Sequence, residues 1–329
     1  MTIRLLAFTD RGLSLARTLA LALDGTAARC GPDLPLDRWT AQAFSSADAL
    51  IFVGAAGIAV RAIAPRLRGK AVDPAVVVVD EGGAYAIPIL SGHLGGGNAL
   101  ARRIAALTGG QAAITTATDR RGVFAVDLWA KAQNCAIPEP ERIKDVSARL
   151  LAGDPVRFFS DYPISGKPPA GLLPGDGGGF TVSIYQKNDP RLHLVPRIVS
   201  LGVGCKKDTS LEVIEAAVSA LLVRTQICPE AVCQICTIDR KGEEPGLLAF
   251  CAARRWPLRA FSPEALAALP GDFTPSDFVR EITGVDNVCE RAAVLGSGGT
   301  LLVPKQAGNG VTLAAAVSPY RPDWRWLDV

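Results

Sequence analysis

The sequence is poor in histidine and has no marked excess of charge of either sign. Its 329 residues include two histidines, and 35 Lys and Arg stand against 32 Asp and Glu, which gives a net charge of +3. His93 and His193 lie far apart in sequence, so they form neither an HExxH helix nor a histidine-rich metal centre. The near-neutral balance also lacks the broad basic excess of a dedicated nucleic-acid binder.

Long hydrophobic runs are absent as well. The most apolar stretch, ALIFVGAAGIAV at Ala49–Val60, has 12 residues and ends at Arg61. A helix that crosses a bilayer needs about 20 residues, so we expect no transmembrane segment. The apolar run near the N-terminus is too short for a signal peptide. Eight scattered cysteines, with a single CxxC at Cys233 and Cys236, favour a reduced, cytoplasmic protein over a disulfide scaffold or a zinc ribbon.

Short strand-like runs alternate with helix-like segments from the first residues onward, which is typical of a largely parallel sheet. The run AVVVV at Ala75–Val79 predicts a central strand covered on both faces. We expect an α/β fold with two three-layer α/β/α domains and largely parallel or mixed sheets. The elements predicted for the first domain are strands Ile3–Phe8, Leu50–Val53, Ala75–Val79, Tyr85–Leu90 and Ala112–Thr116, and helices Gly12–Leu23, Gly57–Leu67 and Ala99–Leu107.

Two changes in composition divide the chain. The alternation weakens after residue 122, and Pro163–Gly179 is crowded with proline and glycine, which predicts a small middle region with a long loop. A second alternation begins at Arg197–Val203 and continues into the helix Ser210–Leu222. We therefore place an N-terminal domain at 1–122, a middle region at 123–196 and a C-terminal domain at 197–329.

Glycines and polar residues concentrate in SGHLGGGN at residues 91–98. We expect this segment, Asp80, Glu81 and TTATD at residues 115–119 to gather at one edge of the sheet, because strand ends meet there in open α/β sheets. Glycines let a ligand approach the backbone, and a following helix offers free amides to an anion. His93 has little to pack against, which favours an acid, a base or a hydrogen-bond donor. The structural alternative is a plain turn capped by Asn98.

A second glycine turn, GVGCKK at residues 202–207, lies between a predicted strand and a predicted helix. Lys207 stands where a dinucleotide fingerprint has its third glycine, so the pattern departs from that motif. Cys205 is either a thiol whose pKa is lowered by the adjacent lysines or a small buried residue. His193, between two leucines, is predicted to be an ordinary packed or surface residue.

Long motifs in both halves closely resemble the cobalt-precorrin-5A hydrolases of anaerobic cobalamin biosynthesis. The motifs follow the family order over nearly the whole chain. They are VGAAGIAVRAIAPRLRGKAVDPAVVVVDEGG (53–83), IPILSGHLGGGNALARRIA (87–105), ITTATD (114–119), GVGCKKDTS (202–210), TIDRKGEEPGL (237–247), FTPSDFV (273–279), GVDNVCERAAV (284–294) and LLVPKQAGNGVTLAAA (301–316).

The resemblance implies a hydrolase that opens the δ-lactone of cobalt-precorrin-5A and releases acetaldehyde, giving cobalt-precorrin-5B. It also implies that cobalt arrives with the substrate, so we expect no protein metal site and no cofactor. Basic pairs beside the glycine turns suit a macrocycle with many acetate and propionate groups. Nucleic-acid and membrane partners are not expected, while a homodimer and transient contacts with neighbouring pathway enzymes stay open.

Lactone opening needs an activated water, a donor for the oxyanion and a proton relay. We take His93 as the base, Glu81 and Asp119 as residues that orient it or relay protons, and Ser91 as a competing nucleophile. The amides of Gly95–Gly97 are expected to receive the oxyanion. The expected substrate-binding residues are Gly54, Gly57, Arg61, Gly95, Gly96, Gly97, Asn98, Thr115, Thr116, Thr118, Lys206, Lys241, Glu290 and Lys305.

Some alternatives remain open at this point. Lys241, Glu244, Glu290 and Lys305 either bind substrate or stabilise the C-terminal domain. A non-catalytic corrinoid-binding or carrier protein would also explain the glycine turns and the basic pairs. A nucleotide-dependent α/β enzyme is the third class.

Overall fold

The structure, a computed structural model, describes residues 1–69, 72–92, 95–115 and 123–326. In those residues the strands form three sheets of six, five and five strands, with helices packed against them. The predicted α/β class with mixed sheets is therefore confirmed. One compact unit is built on Met1–Lys131 and the other on Gly153–Arg325. The boundaries expected at residues 122 and 196 stay predictions.

The first part of the chain alternates strands with amphipathic helices, each of which buries its apolar face on the sheet. The elements are β1 (Ile3–Ala7), α1 (Asp10–Leu23), β2 (Gly25–Arg29), α2 (Leu36–Ser46), β3 (Ala49–Val53), α3 (Ala56–Ile63), a 3-10 turn (Ala64–Arg66), β4 (Ala75–Val79), β5 (Tyr85–Leu90), α4 (Gly97–Thr108), β6 (Gln111–Ala112) and α5 (Val126–Ala132). The strand order is β2-β1-β3-β4-β5-β6.

Strand direction changes inside this sheet at β5. Strands β1 to β4 run parallel, β5 pairs antiparallel with β4, and β6 runs parallel to β5. The Asp80 carboxylate closes the turn between β4 and β5 by accepting the amides of Gly82 at 2.9 Å and Tyr85 at 2.6 Å. A parallel connection needs a crossover of about a dozen residues, so this short turn permits only the antiparallel pairing.

Helices cover both faces of the first sheet and complete three layers. Leu19 of α1 and Ile104 of α4 belong to the core on one face. Trp39 and Phe44 of α2 and Ile63 of α3 belong to the core on the other face. All residues of β3 and β4 are buried, as the AVVVV run predicts for a central strand.

The middle of the chain forms a sheet of its own. Its elements are β7 (Cys135–Ala136), a 3-10 turn (Pro140–Arg142), α6 (Ile143–Ala152), β8 (Val156–Ser160), β9 (Leu172–Pro174), β10 (Gly179–Val182) and β11 (Leu192–Pro196), in the strand order β7-β11-β10-β8-β9. The rings of Phe158 and Phe180 stack 5.7 Å apart, and Trp324 meets Phe158 edge-on at 4.9 Å. The predicted loop Pro163–Gly179 contains the edge strand β9, so it is only partly a loop.

The last part of the chain forms a second three-layer arrangement. Its elements are β12 (Val199–Cys205), α7 (Leu211–Thr225), a 3-10 turn (Pro229–Ala231), β13 (Val232–Ile238), a 3-10 turn (Asp239–Lys241), α8 (Pro245–Arg254), β14 (Leu258–Phe261), α9 (Pro263–Ala267), α10 (Asp277–Thr283), α11 (Cys289–Ser297), β15 (Thr300–Gly308) and β16 (Val311–Val317). The strand order is β14-β13-β12-β16-β15. Val218 of α7 and Phe250 of α8 pack in one core of this sheet, and Ala292 of α11 packs in another.

The sequence patterns missed β2 and α2. Strand β2 reads GTAAR and lies at the edge of the sheet, without the β-branched run that marks a central strand. The predicted helix Ser210–Leu222 is confirmed with shifted ends, as α7. Helix ends are the least determined part of such a pattern because they depend on capping contacts.

The glycines of β12 mark close packing. A Cβ at Gly202 would lie 1.7 Å from the carbonyl oxygen of Cys289, in the first turn of α11. A Cβ at Gly204 would lie 2.5 Å from Thr312 Oγ1 on β16. The GVG segment lies inside β12, so the expectation of a glycine turn at this point is wrong. Its glycines make room for α11 and β16, and this packing accounts for the likeness to a dinucleotide loop.

Gly202→Ala is expected to destabilise the protein by at least the roughly 1–3 kcal/mol of an overpacked core, because the α11 backbone would have to move. Gly308→Ala in β15 is the matched control, since nothing lies within 4 Å of its added methyl group. That control should change the free energy of unfolding by less than about 0.5 kcal/mol. Urea unfolding measures both variants, and equal values would contradict the packing explanation.

Candidate active site

The antiparallel turn places the expected site residues at opposite ends of the strands of the first sheet, that is, along two opposite edges formed by strand ends. Leu90 at the end of β5 pairs with Val76 near the start of β4, whereas Val79 at the end of β4 pairs near the start of β5. Glu81 follows the carboxyl end of β4, and Ser91 lies beyond its amino end. The two ends of β4 are four residue steps apart, or about 13 Å. The expectation of one shared edge is therefore wrong.

The Ser91 edge comprises Ser91, Gly92, Gly95–Asn98 and Thr115, and the Glu81 edge comprises Thr9, Gly54, Gly57, Arg61 and Glu81. Thr115 belongs to the Ser91 edge because it follows β6, which runs in the direction of β5, and it is exposed. The expected site residues outside the described part of the chain are His93, Thr116, Thr118 and Asp119.

The glycine loop at the Ser91 edge is held through Asp73. The Ser91 hydroxyl donates to the carbonyl oxygen of Asp73 at 2.9 Å. The buried Asp73 carboxylate in turn accepts the amides of Arg68 and Gly69. Ser91 adopts a φ of +50°, an uncommon backbone conformation for a residue with a side chain. These contacts make Ser91 an anchor of the loop.

Helix α4 begins inside this loop. Gly96, with a φ of +81°, is the N-cap, and Asn98 is a buried residue of the first turn. The structural alternative of a cap by Asn98 is therefore wrong. The amide of Gly97 donates to the Ser91 carbonyl at 3.1 Å, and that of Asn98 donates to the Gly92 carbonyl at 2.8 Å. Of the three amides expected to receive an oxyanion, those of Gly95 and Gly96 remain candidates.

A lysine that the sequence patterns did not single out lies against the same loop. Lys131 is in the last turn of α5, and its Nζ is 3.3 Å from the position that a Cβ would occupy at Gly96. Lys131 stands alone in the sequence, whereas the patterns drew attention to paired basic residues. Only the tertiary packing of α5 shows its relation to the glycine loop.

The Glu81 edge lies at the switch point of the strand order, between β1 and β3, where open α/β sheets usually bind ligands. Thr9 Oγ1 caps α1 by accepting the amide of Gly12 at 3.0 Å, and it donates to Glu81 Oε1 at 2.6 Å. Gly54 leaves room for the ring of Phe8, which would lie 2.7 Å from an added Cβ.

Gly57 and Arg61 occupy consecutive turns of α3 at the same edge, and both are exposed. The Arg61 Nη1 atom lies 3.6 Å from the position that a Cβ would take at Gly57. The first turn of α3 therefore presents bare backbone beside a guanidinium. This combination suits an anionic group.

In the C-terminal part of the chain, Glu290 in the first turn of α11 is fully buried and accepts four hydrogen bonds. Its carboxylate accepts the Thr274 amide and hydroxyl at 2.7 and 2.8 Å, the Asn287 side-chain amide at 2.8 Å and the Lys305 amide at 2.6 Å. A carboxylate surrounded in this way has no surface to offer a substrate. The expectation that Glu290 binds substrate is therefore not supported, and the structure favours the stabilising role.

Lys241 is committed to an ion pair. Its Nζ lies 2.7 Å from Glu244 Oε2, and Glu244 Oε1 accepts the Asp208 amide at 2.6 Å. The hydrogen bond from Lys241 holds the pKa of Glu244 below its usual value. Lys206 is exposed and Lys305 is partly exposed. These two side chains are therefore accessible to an anionic ligand.

Burial governs the pKa of the three cysteines that the sequence patterns singled out. Burial raises the pKa of Cys205, so of the two alternatives for this residue the lowered pKa is wrong. Burial also raises the pKa of Cys233, and it raises that of Cys236 to about 12. The part of the chain that the structure describes holds no group of three His, Cys, Asp or Glu side chains placed to bind a metal. Among the same residues, no helix is long and apolar enough to span a bilayer.

A groove of about 510 Å³ lies between α7 and the β15–β16 hairpin. Alanines such as Ala216 and Ala220 line its helix side, and its charged lining residues are Glu212 and Arg224. One carboxylate and one guanidinium balance each other. The groove therefore lacks the basic excess that would attract a polyanionic ligand.

Three family models match consecutive parts of the chain. Cobalamin synthesis G N-terminal matches residues 38–119, cobalamin biosynthesis central region matches 124–176, and cobalamin synthesis G C-terminus matches 199–316. The three sheets lie within residues 3–112, 135–196 and 199–317. Each model thus overlaps one sheet.

Relatives match along most of the chain. Cobalt-precorrin-5A hydrolase of Salmonella typhimurium is 34% identical, over 96% of this chain and 98% of its own. Cobalt-precorrin-5A hydrolase of Priestia megaterium is 32% identical, over 84% of this chain and 80% of its own. A solved structure from Sulfolobus solfataricus, described as a homologue of cobalamin biosynthesis protein G, is 21% identical over 97% of both chains, with a TM-score of 0.41.

The fold and the family models define a three-part α/β protein of the cobalamin synthesis G class. Within this class, the chain belongs to the cobalt-precorrin-5A hydrolase family. The resemblance inferred from the sequence motifs is thereby confirmed.

Glu290→Gln is expected to destabilise the protein by several kcal/mol. Whichever way the new amide turns, its NH₂ group faces a buried donor, and each unsatisfied buried group costs about 1–3 kcal/mol. Glu281→Gln on α10 is the matched control because Glu281 is exposed. Chemical unfolding measures the difference, and equal stability of the two variants would argue against a structural role for Glu290.

The burial of His193 predicts that this residue makes the stability of the protein depend on pH. The residue is 8% exposed, and its Nε2 lies 3.0 Å from the Ser183 carbonyl oxygen. Burial lowers its pKa below the ordinary 6.5, so the unfolded chain accepts a proton that the native state resists. The stability that this group contributes should be complete above about pH 7 and decline below about pH 6.5.

His193→Gln should remove this pH-dependent contribution. The melting temperature of the variant should therefore fall less steeply than that of the wild type between about pH 7 and pH 5.5. Carboxylates titrate mainly below this pH range, so they contribute little to the difference between the two curves. Parallel curves for the two proteins would show that His193 makes no such contribution.

Proposed function

We propose that this chain hydrolyses cobalt-precorrin-5A, opening its δ-lactone and releasing acetaldehyde to give cobalt-precorrin-5B. One water is consumed and one acetaldehyde leaves, so the reaction requires no oxidant, reductant or cofactor. The observation that carries the proposal is the 34% identity with a cobalt-precorrin-5A hydrolase over 96% of this chain. The cobalt is part of the substrate.

The Ser91 edge is the proposed place of reaction. Water has to be deprotonated as it attacks the lactone carbonyl, and an imidazole, whose ordinary pKa lies near neutrality, suits that step. His93 is the histidine of the SGHLGGGN motif and is the proposed base. The amides of Gly95 and Gly96 are the proposed donors to the oxyanion, since the Gly97 amide is already bonded to Ser91.

After lactone opening, the carbon–carbon bond to the two-carbon fragment breaks. The alcohol gives up its proton, the fragment leaves as acetaldehyde, and the bonding electron pair stays with the macrocycle. A proton relay has to serve both steps. Asp119 remains the proposed carboxylate for this relay, because it belongs to the TTATD segment that follows β6.

Glu81 receives a different role. Its carboxylate accepts a hydrogen bond from Thr9 beyond the carboxyl end of β4, whereas Gly92 and Gly95 belong to the opposite edge. Glu81 is therefore proposed to organise the Glu81 edge, where Arg61 and the first turn of α3 receive peripheral carboxylates of the substrate.

Three substitutions test these roles. His93→Gln should lower acetaldehyde formation by at least about 100-fold, the usual contribution of a general base. Glu81→Gln should keep turnover within a few-fold of the wild type, because its side chain is bonded to Thr9 and performs no step of the chemistry. Ser91→Ala should lower turnover less than His93→Gln does, because it loosens the loop without removing a reacting group. Acetaldehyde is trapped and quantified while mass spectrometry follows the macrocycle.

Melting temperatures of the three variants show whether each remains folded. Loss of turnover in Ser91→Ala, with activity retained in His93→Gln, would replace the base by a serine nucleophile. Tight binding of cobalt-precorrin-5A by the wild type without any acetaldehyde would disprove the hydrolase assignment and indicate a carrier.

A further inference from the structure

Lys131 brings a cation to the Ser91 edge that has no counter-ion among the described residues. Its Nζ lies 3.3 Å from the position of a Cβ at Gly96, so the ammonium group rests against the backbone of the glycine loop. With the residues that the structure describes, it forms neither a hydrogen bond nor an ion pair. Other basic side chains, such as Arg191 and Arg254, are paired with carboxylates. Among the described residues, therefore, no group competes with an external anion for the Lys131 ammonium.

The position of Lys131 is set by the packing of its helix. Val126, Trp129 and Ala130 of α5 are all fully buried, which fixes the helix that carries the lysine. Gly96 completes the arrangement, because the absence of a side chain there lets the ammonium approach the loop backbone. A lysine held beside bare backbone is a suitable receptor for a carboxylate.

We propose that Lys131 binds a carboxylate side chain of the substrate at the Ser91 edge. This inference rests on the proposed function, which makes the substrate a polyanionic macrocycle and places its lactone at the same edge. The ammonium donates a charge-assisted hydrogen bond to an acetate or propionate group and thereby orients the ring over the loop. Since that carboxylate keeps its charge throughout the reaction, the bond contributes equally to substrate and transition-state binding.

Lys131→Gln should therefore raise KM for cobalt-precorrin-5A by about five- to tenfold while kcat stays within about twofold. Lys131→Arg should retain most of the wild-type affinity, because it preserves the charge. Lys144→Gln on α6 is the matched control, since Lys144 is also exposed. Salt should raise the KM of the wild type more steeply than that of Lys131→Gln, because the variant has lost the screened interaction.

A pair of glycine variants tests the geometry independently. Gly96 and Gly109 cap the two ends of α4 with φ values of +81° and +72°, so alanine strains the backbone at both positions. Only at Gly96 would the new methyl group meet Lys131, since nothing lies within 4 Å of the corresponding atom at Gly109. Both variants should lower the melting temperature, and Gly96→Ala alone should raise KM, in addition to any loss of kcat from a displaced oxyanion amide.

The outcomes separate this inference from the proposed function. Absence of acetaldehyde with the wild-type protein would overturn the proposed function. Normal wild-type turnover with an unchanged KM in Lys131→Gln would overturn the lysine assignment alone. A loss confined to kcat would also overturn it, because such a loss would place Lys131 in the chemistry and not in carboxylate binding.

Discussion

The turn between β4 and β5 is the constraint on which the placement of chemistry in the first sheet depends. Asp80 accepts two amides of this turn, and the short connection forces β5 to return antiparallel to β4. The loop that follows β5 then begins at the amino end of β4. For this reason Glu81 and Ser91, which are close in sequence, stand at opposite edges of one sheet.

The Ser91 edge and the Glu81 edge lie at opposite ends of β4. In the proposed function, one edge therefore serves the reaction and the other binds peripheral carboxylates of the substrate. The Glu81 edge presents bare backbone and the Arg61 guanidinium at the switch point between β1 and β3. The Ser91 edge presents a glycine loop that is held through Asp73 and closed by the first turn of α4. A loop held in this way keeps its amides oriented before the substrate arrives, so little reorganisation is needed during the reaction.

Two residues of the C-terminal family motifs serve the fold. Position 202 is a glycine because a side chain there would collide with the Cys289 carbonyl oxygen of α11. The buried Glu290 carboxylate accepts four hydrogen bonds from protein donors. A glycine needed by a ligand and a glycine needed by a neighbouring helix look the same in a sequence. The same holds for a carboxylate, and only its burial and its donors reveal whether a substrate can reach it.

The sequence by itself determined the α/β class, the buried central strand at Ala75–Val79 and the family, because hydrophobic periodicity and long motifs are properties of local segments. Only the tertiary structure decided that β5 runs antiparallel, that Ser91 is an anchor and that Lys131 meets Gly96. It also revealed the edge strand β2, which lacks a strong apolar pattern. Such features depend on hydrogen bonds and packing between residues far apart in the chain, and these contacts leave no periodic signal in the sequence.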